Sequence, residues 1–340
     1  MRAPWRSLSC ISFGLAAATF ALPAAAAECG PLTPLATLDL NISRSGRPIV
    51  AATIAEKPVH LLVDTGAFSS VLTKRAVREL GLSASTARVE LRNVSGQKAN
   101  LNVRLPSIVL GRIRQEGVYF MVLPGEDDPT DKSPQEFDGI LGAEFLRNVD
   151  LDFDFAANKL NIVSQNHCEG KVVYWQAPAL AILPMTINQN GGIAFRMEVD
   201  GKRVNAMLDT GASTTAMNLT TARQAFNIDV NGSDVEKVGE LTGGGYNASV
   251  YRRRFKSIAF EGVTINNPMV HLLPDLMSGQ SPGAPQTGSL MRPDRALPDV
   301  ILGMSTLSQL HLYVAYKERK VYITAADPPA ATPAPAPAPQ

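Results

Sequence analysis

Val59-His60-Leu61-Leu62-Val63-Asp64-Thr65-Gly66-Ala67 is an apolar run that delivers one carboxylate into a turn closed by glycine, and it occurs twice. Its second copy, Val204-Asn205-Ala206-Met207-Leu208-Asp209-Thr210-Gly211-Ala212, stands 145 residues further on. Short apolar runs that stop at a tight turn read as strands. A repeat at a fixed offset settles the architecture before any single element does.

The likeness continues beyond the motif. Thr73 and Asn218 each stand nine residues after their aspartate and suit a helix N-cap; the helices they open should stop at Gly81 and Asn227, residues that tolerate a left-handed C-cap. Asp138-Gly139-Ile140-Leu141-Gly142 matches Asp299-Val300-Ile301-Leu302-Gly303. A helical and then a strand pattern follow each: Leu146 and Val149 correspond to Leu307 and Leu310, Leu151-Asp152-Phe153-Asp154-Phe155 to Leu312-Tyr313-Val314-Ala315-Tyr316, and Leu160-Asn161-Ile162 to Val321-Tyr322-Ile323. The chain is a tandem duplication. Turn pairs such as Ser45-Gly46, Ser95-Gly96 and Asp200-Gly201 between short segments predict mostly β structure, with one or two small helices per copy. The second copy is longer, with 94 residues from Asp209 to Gly303 against 78 from Asp64 to Gly142. The excess falls in residues 278–298, whose four prolines and three glycines predict a mobile surface loop.

The ends lie outside the repeat. Arg2 and Arg6, an apolar stretch over residues 8–22 and small residues over 23–27 read as a secretory signal, cut between Ala24 and Glu28. That stretch is 15 residues against the roughly 20 that cross a bilayer, so no membrane span is expected after cleavage, and the product is periplasmic or secreted. Cys10 leaves with the signal. Cys29 and Cys168 remain, and an oxidising compartment predicts one disulfide between them. A loop of 139 residues closed in this way would gain roughly 4–5 kcal/mol on the chain-entropy account. The expected divisions are a signal at 1–27, a first lobe at 28–164, a linker at 165–180, a second lobe at 181–326 and a solvated Pro/Ala tail at 327–340. Composition agrees with two folded units: of 340 residues 45% are hydrophobic, which excludes disordered, collagen-like and disulfide-scaffold chains. With 32 basic and 31 acidic residues, bulk charge gives no reason to expect a nucleic-acid partner.

One carboxylate per copy, each at the end of a strand, acquires a meaning if the copies face one another. Two carboxyl groups about 3 Å apart cannot both ionise, so they share a proton. The ionised one can activate a water while the protonated one donates to a carbonyl oxygen, which is amide hydrolysis without metal, cofactor or covalent intermediate. Gly66 and Gly211 permit close backbone approach to the carboxylates, and Thr65 and Thr210 carry hydroxyls that can bond across a twofold axis.

These residues resemble the aspartic peptidases, in particular single-chain bilobal enzymes of the pepsin type, with motif chemistry nearer the retropepsins and a bacterial exported setting. The resemblance covers roughly residues 50–323. It implies two similar β-barrel lobes with short helices, an active-site cleft between the lobes, and catalytic Asp64 and Asp209. Thr65, Gly66, Thr210 and Gly211 would support the site, and Ile140-Leu141-Gly142 and Ile301-Leu302-Gly303 would pack behind the aspartates. It also implies a β-hairpin flap, for which Gly96, in the hairpin over residues 90–105, and Tyr246, in that over 238–251, are the candidates. One departure stands out: pepsin-like chains place Ser or Thr after Asp-Thr-Gly, where this chain has Ala67 and Ala212. Without that donor to the ionised form, the dyad is expected to titrate higher and to work at weakly acidic to neutral pH.

Other motifs carry less. Gly279-Gln280-Ser281-Pro282-Gly283 has the G-x-S-x-G spacing, yet Pro282 lacks the N–H that an oxyanion hole needs. His60, His167, His271 and His311 stand singly, without metal-ligand spacing. The acidic stretch over 125–131 lacks the EF-hand order, and Lys317-Glu318-Arg319-Lys320 reads as a solvated turn. The expected function is therefore an exported aspartic endopeptidase, a monomer acting on protein or peptide substrates. The alternative is the same fold without catalysis, binding a peptide or protein between the lobes, and it is disfavoured because both motifs are intact.

Overall fold

Each copy of the repeat builds a ten-stranded sheet, and the two sheets have the same strand order. The computed structural model describes residues 29–92, 98–123, 135–243, 246–274 and 298–326. The expected signal at 1–27, the expected turn at Ser95-Gly96, the acidic stretch, the Gly-x-Ser-x-Gly pattern with nearly all of the expected 278–298 loop, and the expected tail at 327–340 lie outside those residues.

In the first sheet the order runs Ala84–Arg92, Lys98–Arg104, Tyr119–Val122, Val71–Leu72, Gly139–Leu141, Lys57–Val63, Pro48–Ile54, Ser107–Leu110, Ile113–Glu116, with Asn41–Ile42 beside Pro48–Ile54. The second repeats it as Val235–Gly243, Tyr246–Arg254, Met269–Leu273, Ala216–Asn218, Val300–Leu302, Lys202–Leu208, Ile193–Val199, Ser257–Phe260, Val263–Asn266, with Thr186–Ile187 beside Ile193–Val199. The aspartate strand is central in both. Its neighbours on either side bury Leu61, Val63, Ala206 and Leu208 completely. Helix Lys74–Leu80 begins at Thr73, whose side chain accepts from Ala76 N, and ends at Gly81 with φ +72°. Helix Leu219–Phe226 begins at Asn218 and ends at Asn227 with φ +53°. Both expected caps are present, because a short side chain can reach back to a free amide at one end and the chain must turn left-handed at the other.

A third sheet joins the copies. Its order is Pro34–Asp39, Lys159–Val163, Asp150–Asp154, Leu310–Ala315, Lys320–Ala325, Ala181–Pro184. At its centre Leu151 pairs with Val314 and Phe153 with Leu312, so the corresponding strands of the two copies lie antiparallel to each other. The segment between the copies packs on this sheet. Val172 is buried with Val163, Tyr313, Ala315 and Tyr322, and Trp175 stacks on His311 at 3.8 Å and donates to Thr324 Oγ1. Cys29 and Cys168 form the disulfide.

The shared sheet buries a set of ionisable groups. His167 Nε2 lies 2.7 Å from Asp150 Oδ2, and its Nδ1 lies 3.2 Å from the Cys168 carbonyl oxygen and 3.7 Å from Glu318 Oε1. Both ring nitrogens face oxygen atoms that can accept, an arrangement that favours the doubly protonated ring. Glu318, read from the sequence as part of a solvated turn, is instead buried: it accepts from Gly170 N and from Tyr322 Oη, and only tertiary pairing places those donors around it. Burial opposes the charge on His167, but the Asp150 bond, the Cys168 carbonyl and Glu318 outweigh it and raise its pKa. Burial likewise raises Asp150 against the bonds from His167 and Tyr316 N. A group whose folded pKa is raised contributes stability that is complete below its unfolded pKa and is lost as pH rises through the folded value. Thermal melting is therefore expected at a higher temperature near pH 6 than near pH 9, the unfolded histidine value being about 6.5. His167→Gln should flatten that difference; a melting temperature that rises from pH 6 to pH 9 would contradict the account.

Candidate active site

Asp64 and Asp209 are each the first residue beyond a strand that is paired in parallel with the strand before a glycine. Leu61, Leu62 and Val63 pair with Gly139, Ile140 and Leu141, and Asp64 N donates to Leu141 O at 3.1 Å. In the second copy Ala206, Met207 and Leu208 pair with Val300, Ile301 and Leu302, and Asp209 N donates to Leu302 O at 3.1 Å. The next residue in each has to be glycine. A Cβ on Gly142 would come within 2.6 Å of Ser69 backbone carbon, and one on Gly303 within 2.3 Å of Thr214 O. Gly142 N and Gly303 N donate to the buried Ser70 Oγ and Thr215 Oγ1. Behind each turn, Ala143 N and Met304 N, the first residues of short helices, donate to Ala67 O and Ala212 O at 2.8 Å.

The two turns lock together through their threonines. Thr65 N donates to Thr210 Oγ1 and Thr210 N to Thr65 Oγ1, both at 3.1 Å. Thr65 Oγ1 donates in turn to Leu208 O at 3.0 Å, and Thr210 Oγ1 to Val63 O at 2.6 Å. Thr65 and Thr210 are buried, so these four bonds are shielded from water and fix the separation of the aspartates.

The glycines after them set how close the carboxyls come. A Cβ on Gly66 would lie 2.6–2.7 Å from the Asp209 carboxyl atoms, and one on Gly211 would lie 2.2–2.5 Å from those of Asp64. Each glycine thus faces the other copy's aspartate. Within its own turn, Asp64 Oδ1 accepts from Gly66 N at 2.8 Å and Ala67 N at 2.9 Å. Asp209 Oδ1 accepts from Gly211 N at 2.9 Å and Ala212 N at 3.0 Å. All six motif residues of the sequence reading therefore meet at one place. Gly96 lies outside the described residues. Tyr246 stands opposite Gly243 at the end of the hairpin formed by Val235–Gly243 and Tyr246–Arg254.

The electrostatics follow from this crowding. Burial raises the pKa of Asp64, with the Gly66 and Ala67 amides pulling it back. Burial and, next, the neighbouring Asp64 carboxylate push Asp209 up to about 7. The pair can hold one proton between two carboxyls up to neutral pH, which is the state that both activates a water and donates a hydrogen bond.

The two turns are not identical. Phe68 is 49% exposed beside the first, where Ser213 stands in the second. Ser70 N donates to the Glu144 carboxylate, whereas Thr215 N donates to Ser305 Oγ. Arg47, not singled out in the sequence, acts on Asp64 with its positive charge. A groove of about 740 Å³ on the second copy, lined by residues such as Leu183, Phe195 and Phe260, includes neither aspartate.

Among the described residues no group of three or more His, Cys, Asp or Glu side chains is placed to hold a metal ion, and no helix is long and apolar enough to cross a membrane. No curated protein sequence matches the chain closely enough to be called a relative. The model of one family, described as aspartyl protease, matches residues 50–145 and 195–306, and these two segments hold one Asp-Thr-Gly turn each. Together they make up more than half of the 340 residues, and the chain belongs to the aspartyl protease family.

Proposed function

We propose that this protein is an exported aspartic endopeptidase that cleaves extended protein segments held in a cleft between its two halves, with Asp64 and Asp209 as its catalytic pair. The observation that carries the reading is the crossed arrangement of the two turns: each threonine hydroxyl bonds the opposite strand and each glycine opens onto the opposite carboxylate. Only one carboxyl from each half can supply such a pair. The ionised aspartate takes a proton from water as the water oxygen bonds to the peptide carbonyl carbon, and the protonated aspartate passes its proton to the carbonyl oxygen. The resulting diol collapses as the first aspartate returns its proton to the leaving nitrogen, the C–N bond breaks and a diol proton restores the second aspartate. Exposed Phe68 supports a substrate with an apolar side chain on one side of the bond. The N-terminal signal pattern and the disulfide support a periplasmic or secreted setting.

The test is hydrolysis of an unstructured protein substrate by the mature chain across pH, with pepstatin as inhibitor. Activity requires one carboxylate and one carboxylic acid, so it is lost on the alkaline side as the second proton leaves. With Asp209 raised to about 7, the rate is expected to peak at weakly acidic to neutral pH and to fall above about 7. An optimum below about pH 4, near ordinary carboxyl values, would overturn this. An inert wild type that still binds a peptide would favour a binding role.

A further inference from the structure

The two halves repeat the same hairpin before each aspartate, but only one of them carries a charge there. In the first sheet Ile49 pairs with Leu62, and continuing that register by two residues sets Arg47 opposite Asp64. In the second sheet Ile193 pairs with Leu208, and continuing that register by one residue sets Gly192 opposite Asp209. The offset of 145 maps Arg47 onto Gly192, so the repeat places a cation beside one aspartate and no side chain beside the other.

Arg47 is held there rather than left in water. Its side chain is 24% exposed. Nη2 lies 3.2 Å from Glu136 Oε2, Nε donates to Ser45 Oγ at 2.8 Å, and the guanidinium sits over the Phe137 ring at 5.2 Å. Its backbone N–H donates to Ser43 Oγ. Three contacts, from Ser45 and from residues 136–137, fix the planar cation, the setting in which arginine is hardest to replace by lysine.

We propose that Arg47 is a positioning residue that fixes the division of labour in the pair, making Asp64 the carboxylate that takes the proton from water and Asp209 the acid that donates to the carbonyl oxygen. This rests on the reading of Asp64 and Asp209 as the catalytic pair. The charged and titratable neighbours agree with it. Asp64 faces Asp209 from the second half, the Gly66 and Ala67 amides of its own turn, and Arg47, the residue before the adjoining strand Pro48–Ile54. Arg47 faces Glu136, whose other oxygen lies 3.7 Å from exposed Arg44. Behind the turn, Glu144 is engaged by Ser70 N, and Asp138 accepts from His60 N with the His60 ring 3.8 Å away. Burial raises the Asp64 carboxyl, and the Gly66 and Ala67 amides, the bond with Asp209 and then the Arg47 charge pull it back; burial and then the Asp64 charge hold Asp209 up, with no cation among the described residues acting on it.

The experiment is the pH dependence of kcat/KM on an unstructured protein substrate for wild type, Arg47→Met, Arg47→Lys and Glu136→Gln. The acid limb reports the first ionisation of the pair in the free enzyme. Arg47→Met is expected to move that limb to higher pH, by less than about one unit because Arg47 is the weakest of the influences that pull Asp64 down. Arg47→Lys, which keeps the charge but not the planar fork, should return it only in part, and Glu136→Gln, which leaves the guanidinium uncompensated, should move it to lower pH. A limb unchanged in Arg47→Met, with a rate reduced equally at every pH or a change in KM alone, overturns the proposal. If Arg47→Met does not fold, Glu136→Gln decides: a limb that stays or rises is the contrary result. Folded Asp64→Asn or Asp209→Asn proteins that remain active would instead remove the reading of the pair.

Discussion

Asp64→Asn and Asp209→Asn should each lower kcat/KM for peptide hydrolysis by about 10³-fold or more, with neither protein losing its fold. An amide can neither take a proton from water nor pass one to a carbonyl oxygen, and general acid–base steps of this kind contribute roughly 10²–10⁴-fold apiece. Because the two carboxyls act as a unit, the double variant should be no worse than either single one. The fold should survive for a local reason. Asparagine Oδ1 still accepts from the two turn amides that now serve Oδ1 of each aspartate. Both carboxyls are raised, Asp64 by burial and Asp209 by burial and by the Asp64 charge, so at neutral pH ionisation of the pair is strained. Removing one carboxyl relieves that, and the melting temperature at pH 7 should hold or rise. Activity and melting measured on the same preparations separate the two effects. A folded Asp209→Asn protein with more than about one per cent of wild-type activity would contradict the assignment.

Asp150→Ala should be the most destabilising single change on the shared sheet. Asp150 is fully buried, with Oδ1 accepting from Tyr316 N at 3.0 Å and Oδ2 facing His167 Nε2 at 2.7 Å and Tyr313 Oη at 3.4 Å. Truncation leaves His167, 2% exposed, with its charge facing only Glu318 and the Cys168 carbonyl. It also strips the acceptor from a buried backbone amide. Removing one partner of a buried ion pair costs about 3–5 kcal/mol, because the other partner is stranded. Asp150→Asn should cost less, since the amide oxygen can still accept from Tyr316 N. Denaturant midpoints with unchanged m-values would measure both. A loss below about 1 kcal/mol for the alanine variant would show that water reaches the cluster.

Much of the site was legible because it is written in local chemistry. The Asp-Thr-Gly turns, the paired glycines at 142 and 303 and the helix caps at Thr73 and Asn218 are short patterns whose residue types are required by backbone approach or by a free amide. The duplication made them convincing, since each feature found in one copy could be sought in the other. Arg47 escaped for an equally local reason. Its place opposite Asp64 depends on a two-residue turn at Ala55 and Glu56, which have φ +48° and +66°. The equivalent turn in the second copy is Asp200-Gly201, a pair that announces itself, whereas Ala-Glu rarely adopts left-handed backbone and gives no signal. Glu318 was misread because a charged residue between two strands looks solvated until the strands find their partners.

By itself, then, the sequence determined two homologous β units, the strand-to-turn setting of each aspartate, its glycine and threonine, and the pair of cysteines. The sequence offered Thr65 and Thr210 as hydroxyls that can bond across a twofold axis; tertiary structure alone decided that their acceptors are Leu208 O and Val63 O, that Gly66 opens onto the Asp209 carboxyl and Gly211 onto that of Asp64, and that the corresponding strands 150–154 and 310–315 meet in one sheet. It also decided the burial of His167 between Asp150 and Glu318 and the one-sided placement of Arg47. The division has a physical cause. Strand, turn and cap are fixed by the dihedral preferences and hydrogen-bonding reach of neighbouring residues, whereas contacts between residues 145 apart form only when the folded halves dock, and the pKa of a carboxylate is set by whatever that docking brings beside it.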